Sequence, residues 1–475
     1  MYSEGVLIHM QDRRRYDMSE KRRQEKIQDA IGFVGDDLLI RAKKKNVIMV
    51  FVRRHKVFVA AVLTLVLLAT NMLYSMRYNL IYGKYVVVAA EYPNLMFESE
   101  KNHRERIGEY KNISPVFNDF YKASIAEFLS DNEDGNIAYS PVNVIIALSM
   151  LAEMTDGSSR SQILKVLGAD EISDLRRNVS IIWKSNYDKI GNTCVLANSL
   201  WLDNKVKYKR DALEILAKEY YASSFYGDMG SREYNEAVKA WLNEQSGGLL
   251  EEMNEDLVLS PDTLIMMTST LNFDDEWIDK FDRDNTKKRV FHSLSGDIYC
   301  DFMTDTAKGY YYKCDTYVVA GRQFKSGANM WFILPNVGTS VSELLQDESV
   351  LSRLAEPSAC EYQTCRMILS LPKYDIQCKF DLIEGVRSLG IQDVFNSVDA
   401  DFSPVLEDDR YVVGKMEHSV RVIVDENGAK AVAQTNNMTM GTNSTPSVIL
   451  DRPFIFVIES EAGAPLFVGV INNPR

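Results

Sequence analysis

Catalysis needs side chains that exchange protons, attack carbonyls or hold metals, and this chain is poor in such groups. Its five histidines are His9, His55, His103, His292 and His418, and no HExxH, GxSxG, GxGxxG or phosphate-cradling glycine string accompanies them. A zinc site built on two neighbouring histidines is therefore not expected. A Ser-His-Asp triad would have to use His292 or His418 with no motif around it. The six cysteines, Cys194, Cys300, Cys314, Cys360, Cys365 and Cys378, contain no CxxC pair. Cys360 and Cys365 are close enough in sequence to bridge, but the pattern reads as dispersed thiols, not a disulfide framework. No catalytic residue, metal or cofactor is expected, and the chain is not expected to be an enzyme.

One stretch suggests chemistry done to the chain instead of by it. DENGAKAVAQTNNMTMGTNSTPS, Asp425 to Ser447, has no charge after Lys430 and, Val432 apart, no aromatic or large branched aliphatic residue. It lies between strongly apolar runs, so it is either a slack polar loop or a strand not yet formed.

The elements that must position this stretch are legible as two periodicities. Phe117, Phe120, Tyr121, Ile125 and Phe128 suit one helix face, as do Tyr234, Ala237, Val238, Trp241 and Leu242. MWFILP (330–335), FIFVI (454–458) and LFVGVI (466–471) read as buried strands. Helices dominate early and strands late, which predicts an α+β domain with a large mixed sheet, additional sheets and surrounding helices.

Charge divides the chain. Residues 1–56 hold 14 Lys+Arg against 8 Asp+Glu, a balance of +6, which leaves −19 for the rest of a chain of formal net charge −13. Residues 57–76, VFVAAVLTLVLLATNMLYSM, carry no charge. A helix of that length crosses a hydrocarbon layer of about 30 Å. Flanking Arg41, Lys43, Lys44, Lys45, Arg53, Arg54 and Lys56 put the N-terminus in the cytoplasm by the positive-inside rule. A buried core helix, or a signal peptide starting at Met49, are the alternatives. The expected organisation is a basic cytoplasmic tail (1–56), one transmembrane helix in contact with lipid (57–76), a polar tether (77–112) and an extracellular domain (113–475). ESEKNHRERIGEYKN, at 98–112, shows charge without an apolar stripe and reads as a solvated spacer. An acidic ectodomain excludes nucleic acid as a partner.

The ectodomain resembles the serpin family of serine protease inhibitors. The resemblance rests on NIAYSPVNVIIALSMLAEMTDGSSRSQILKVLG (136–168), LANSLWLD (196–203), LNFDDEWIDKFDRDNTKKRVF (271–291), LPKYD (371–375), LGIQDVF (389–395), ADFSPV (400–405), DRPFIFVI (451–458) and PLFVGVINNP (465–474), in order and at family separations. It implies a metastable α+β fold with a reactive-centre loop at about 426–450, and a polar cluster of Ser140, Asn143, Ser269 and His418 under the opening of the main sheet. The chain departs from the family at Asn143, usually Ser, and at Ser269-Thr270, usually Asn-Ala. An exchange of Asn and Ser between these positions is expected to preserve the hydrogen bonds.

In the family a Glu-x-Gly hinge opens the loop, which here is Glu426-Asn427-Gly428. Beyond it, Ala429, Ala431, Ala433, Thr435, Asn437 and Thr439 fall on one face of a period-2 strand, with Lys430, Val432, Gln434, Asn436, Met438 and Met440 on the other. Small residues on one face suit a strand that must slip beneath helices. The implied mechanism is attack on the loop by a serine protease, acyl-enzyme formation, and insertion of the cut loop into the sheet. Family spacing puts the scissile bond at Thr442–Asn443, with Asn443–Ser444 and Met440–Gly441 as rivals. No Arg or Lys lies between Asn436 and Thr445, so elastase-like or subtilisin-like enzymes fit better than trypsin-like ones. Asn-x-Ser/Thr triplets at Asn437 and Asn443 would obstruct the loop if glycosylated. A monomeric, surface-anchored inhibitor is the first expectation. A non-inhibitory binding or adhesion module is the second, kept open by Val432 and Gln434, where the family favours small residues.

Overall fold

Among the described residues the longest sheet collects the late apolar runs. Its strand order is β13 (Ser447–Ile449), β10 (Gln363–Pro372), β7 (Gly296–Lys313), β8 (Tyr317–Gln323), β9 (Asn329–Pro335), β14 (Phe454–Glu459), β15 (Pro465–Ile471) and β2 (Ile137–Tyr139), with β6 (Lys287–Ser293) also on β7. β9, β14 and β15 are buried along their whole length. That is why they lack the polar alternation of a half-exposed strand. The structure is a computed structural model that describes residues 80–93, 100–130, 135–187, 194–407, 411–428 and 445–475. The basic tail, the apolar segment 57–76 and the loop residues 429–444 lie outside these.

Two smaller sheets position the site. One has the order β1 (Val86–Val88), β4 (Ala222–Gly227), β3 (Cys194–Asp203) and β5 (Ile265–Phe273); the other pairs β11 (Tyr374–Asp381) with β12 (Glu417–Val424). β3 and β4 are parallel and the other pairs antiparallel, so the expected mixed character holds. Among the described residues, β5 and β12 each have a ladder partner on one edge only.

Helix α1 (Glu100–Leu129) is followed by α2 (Pro141–Met154), α3 (Gly157–Val166), α4 (Ile172–Asn186), α5 (Arg210–Glu219) and α6 (Arg232–Gln245). α2 starts where Ser140 Oγ accepts the amide of Asn143 at 3.3 Å and Pro141 takes the first helical position. Nearly every α2 side chain is buried, as expected of a helix apolar all round. The helix faces expected for 117–128 and 234–242 are both buried.

Within the expected tether, the described residues 80–93 and 100–112 carry regular structure. Residues 86–88 form an edge strand, and 100–112 are the first half of α1, so the expected boundary at 113 falls inside a helix. Tyr110 is 1% exposed and its hydroxyl lies 3.3 Å from that of Tyr121, while Ser185 Oγ donates to the Arg106 carbonyl at 2.8 Å. His103 also meets Glu461 at 2.8 Å, Arg106 donates to the Lys184 carbonyl, and Ile107 packs against the core, so scattered contacts dock this charged segment without creating a visible apolar stripe. No described helix is long and apolar enough to cross a membrane.

Candidate functional site

The site is built where α2 begins. The Ser140 backbone N–H donates to His418 Nε2 at 3.0 Å, which leaves the ring proton on Nδ1. Three residues on, Asn143 Nδ2 donates to the Ser269 carbonyl at 3.4 Å. One helix start is thereby tied to both β12 and β5. The four polar residues expected to cluster do come together, but the Asn/Ser exchange does not keep the hydrogen-bond count. Asn143 Oδ1 and Ser269 Oγ have no partner among the described residues. Asn is one bond longer than Ser, so its amide reaches the strand's backbone carbonyl and bypasses the Ser269 hydroxyl. His418 is buried against the rings of Tyr139 and Phe380, and burial pushes it down to about 4. Neutral, with Nε2 occupied by a backbone amide, it is a structural acceptor and not a free base. His292 sits at the surface, with Nδ1 2.7 Å from Asp297.

The second half of the site is the hinge. β12 runs into Asp425, Glu426, Asn427 and Gly428, and these meet the segment that follows β5. Trp277 N donates to the Asn427 carbonyl and Phe281 N to that of Glu426, both at 3.0 Å, while Trp277 Nε1 donates to the Asp425 carbonyl at 3.0 Å. β5 and β12 therefore arrive at one corner, running the same way. The Glu426 carboxylate is 4% exposed and accepts from Thr286 Oγ1 at 2.9 Å and Lys373 Nζ at 2.8 Å. Burial alone would raise its pKa, but the Lys373 and Thr286 bonds hold it below the usual carboxylate value. Gly428 has φ +116°, and a Cβ there would stand 2.5 Å from Trp277 N and 2.6 Å from the Asp275 carbonyl oxygen. Only glycine fits. Trp277 is itself pinned, stacked on Phe324 at 4.3 Å.

Glu426 and Gly428, expected at the hinge, lie in the turn that follows β12. Ala429, Ala431, Ala433, Thr435 and the bond Thr442–Asn443 lie outside the described residues. Lys373 and Thr286 hold Glu426; they sit inside strings that carry the family resemblance, LPKYD and LNFDDEWIDKFDRDNTKKRVF, but their pairing with Glu426 was not expected from sequence. A lone Lys and a lone Thr, 53 and 140 residues from their carboxylate, carry no local sign of their partner. All six cysteines are free, and Cys360 and Cys365 are not bridged. No cluster of metal-ligating side chains occurs among the described residues.

The chain is similar to known proteins. An alpha-1-antitrypsin-like protein of Tamias sibiricus is 25% identical over 387 residues, covering 79% of this chain and 92% of its own. Serpin-Z7 of Hordeum vulgare is 27% identical over 359 residues, covering 71% and 90%. Among solved structures, the thermophilic serpin tengpin in its native state superimposes with a TM-score of 0.68 at 22% identity, over 75% of this chain and 94% of its own. Human thyroxine-binding globulin complexed with thyroxine also gives 0.68 at 22% identity, over 77% and 99%. Likeness at that identity speaks for the fold alone. Residues 117–474 match the family described as Serpin (serine protease inhibitor), and the chain belongs to that family.

Proposed function

We propose that this chain is an extracellular, membrane-anchored protease inhibitor, held by residues 57–76 with its N-terminus in the cytoplasm, that traps its target by loop cleavage and insertion. One observation carries the reading. β5 and β12 run the same way, each lacks a ladder partner on one edge among the described residues, and the chain leaves β12 through a built hinge directly into 429–444. A strand folding back from Gly428 would run antiparallel to both β12 and β5, and insertion of a serpin loop is a known form of strand addition. The bait then does the work, and no catalytic residue is required. The target is a serine protease of elastase-like or subtilisin-like preference, cutting at Thr442–Asn443.

The test is incubation of the full chain with such proteases, followed by a denaturing gel and membrane extraction at alkaline pH. A band at the summed masses is expected, together with retention in the membrane fraction. Ala433→Asp would bury an unpaired charge on insertion, so the complex should give way to simple cleavage. Clean cleavage of the unaltered chain favours the second reading, a non-inhibitory binding module, which Val432 and Gln434 on the outward face also suit.

A further inference from the structure

Residues 80–93 touch more of the domain than a leader segment needs to. Tyr82 belongs to a second core cluster with Trp201 of β3, Phe225 of β4, and Tyr234 and Trp241 of α6. Its ring meets Phe225 edge-on at 5.7 Å, and its hydroxyl donates to Glu244 in the last turn of α6. Tyr85 lies edge-on to Tyr234 at 4.9 Å. β1 then pairs with the outer edge of β4, Val86 opposite Phe225 and Val88 opposite Ser224. Beyond it, Ala90 N donates to Ser223 Oγ at 3.1 Å and Glu91 N to the Ala217 carbonyl of α5 at 3.0 Å. Tyr92 closes the run among Trp183, Tyr187 and Tyr221, with ring centroids 5.8, 6.1 and 6.3 Å away. Tyr221 has φ +54°, a conformation a tyrosine keeps only when its surroundings enforce it.

The same cluster contains the strand that borders the hinge. Tyr234 Oη accepts from Leu202 N at 3.1 Å and donates to the Leu202 carbonyl at 3.2 Å, which fastens α6 to β3. Met266 of β5 packs against the cluster from the next strand. α6 therefore spans β3 and β5, and the segment 80–93 grips α6 from the far edge of that sheet.

We propose that residues 80–93 form a strap that clamps α6 over β3 and β5, and so sets the resistance of β5 to parting from β12. The strap itself stands on the contacts above; its consequence for inhibition rests on the reading under Proposed function. Displacing β5 to admit a strand must shift α6 or its packing. Tyr85 opposes that shift through its ring contact with Tyr234, and Tyr82 through its hydrogen bond to Glu244, with the Tyr82 ring itself seated on Phe225 of β4.

Hydrogen exchange on the intact full chain tests this without any protease. Tyr82→Ala with Tyr85→Ala should raise exchange about tenfold in α6 (232–245) and β5 (265–273), while β9 and β14 stay protected. On incubation at raised temperature, the double variant should also lose trapping activity sooner than the unaltered chain. A rise confined to 80–93 and β4 would make the segment a mere edge cover and overturn the proposal. Should the double variant expose β9 and β14 as well, Tyr82→Phe keeps the ring and removes only the bond to Glu244. A roughly twofold to fivefold rise in α6 is then expected, about what one modest hydrogen bond supplies; an unchanged α6 would sink the clamp. If the unaltered chain forms no complex with any protease, the inhibitor reading fails while the exchange result still decides the strap.

Discussion

His418 shows how one side chain sets a pH limit on the domain. Its ordinary pKa of 6.5 falls to about 4 in the fold because the ring is buried. The unfolded chain therefore takes up a proton below pH 6.5 that the native chain refuses until about 4. The stabilisation from keeping His418 neutral is complete above pH 6.5 and drains as pH falls toward 4. A shift of that size amounts to roughly 3 kcal/mol. His418→Gln leaves an acceptor for the Ser140 amide but cannot titrate. Between pH 7 and pH 4.5 the midpoint of urea unfolding should fall further for the unaltered chain than for the variant, the difference cancelling the acid loss shared by both from their carboxylates. Equal falls would show that His418 takes up its proton in the fold at its ordinary pKa. Asn143 Oδ1 and Ser269 Oγ close by, without a partner among the described residues, are buried polar atoms of the kind native interiors seldom tolerate. They lie beside the β5 edge, where they would be among the first groups an entering strand meets.

At the level of elements, the hinge is held by charge brought in from a third place in the chain. Lys373, between β10 and β11, satisfies one oxygen of Glu426 and Thr286 the other. Lys373→Met would leave a buried carboxylate with a single neutral donor, at a cost of about 1–3 kcal/mol. Its unfolding midpoint at pH 7 should drop accordingly. The Glu426 pKa lies below its ordinary value, so this stabilisation is full above about pH 4.5 and is lost as pH falls through the lower folded value; the two chains should converge in acid. A constant gap down to pH 3 would assign the effect of Lys373 to packing instead. These contacts also mark what sequence reveals and what it hides. The Glu-x-Gly after β12 is legible through the family resemblance, whereas the helix faces at 117–128 and 234–242 and the buried runs of β9, β14 and β15 declare themselves within a dozen residues, because periodicity is local. Thr286, Lys373, the first half of α1 and the strap do not. Each is fixed by contacts distant in sequence, and Tyr82, Tyr85 and Tyr92 read as ordinary polar-aromatic residues until their partners are beside them.

For the whole molecule, the two sheets that end at the hinge set the energy of the native state. β5 and β12 are nine and eight residues long, and an intervening strand would add a ladder to each free edge. About a dozen new hydrogen bonds at about 0.5–1.5 kcal/mol net give on the order of 10 kcal/mol, comparable with the stability of an ordinary domain. On the proposed mechanism the intact chain would be a kinetically held form, kept from that gain by the hinge bonds and by α6 until the loop is cut. Releasing the loop should relax it. A chain nicked once between residues 429 and 444, by any protease that cuts there without being trapped, should unfold at a temperature higher by roughly 10–20 °C, since about 1 kcal/mol moves the midpoint by about 2 °C or less in a domain this large. The comparison needs no knowledge of the physiological target. Nicked Ala433→Asp should show little or none of the gain, because insertion would bury its carboxylate among helices. If intact and nicked chains of the unaltered sequence melt together, the free edges of β5 and β12 hold no reserve, and trapping by insertion has no driving force.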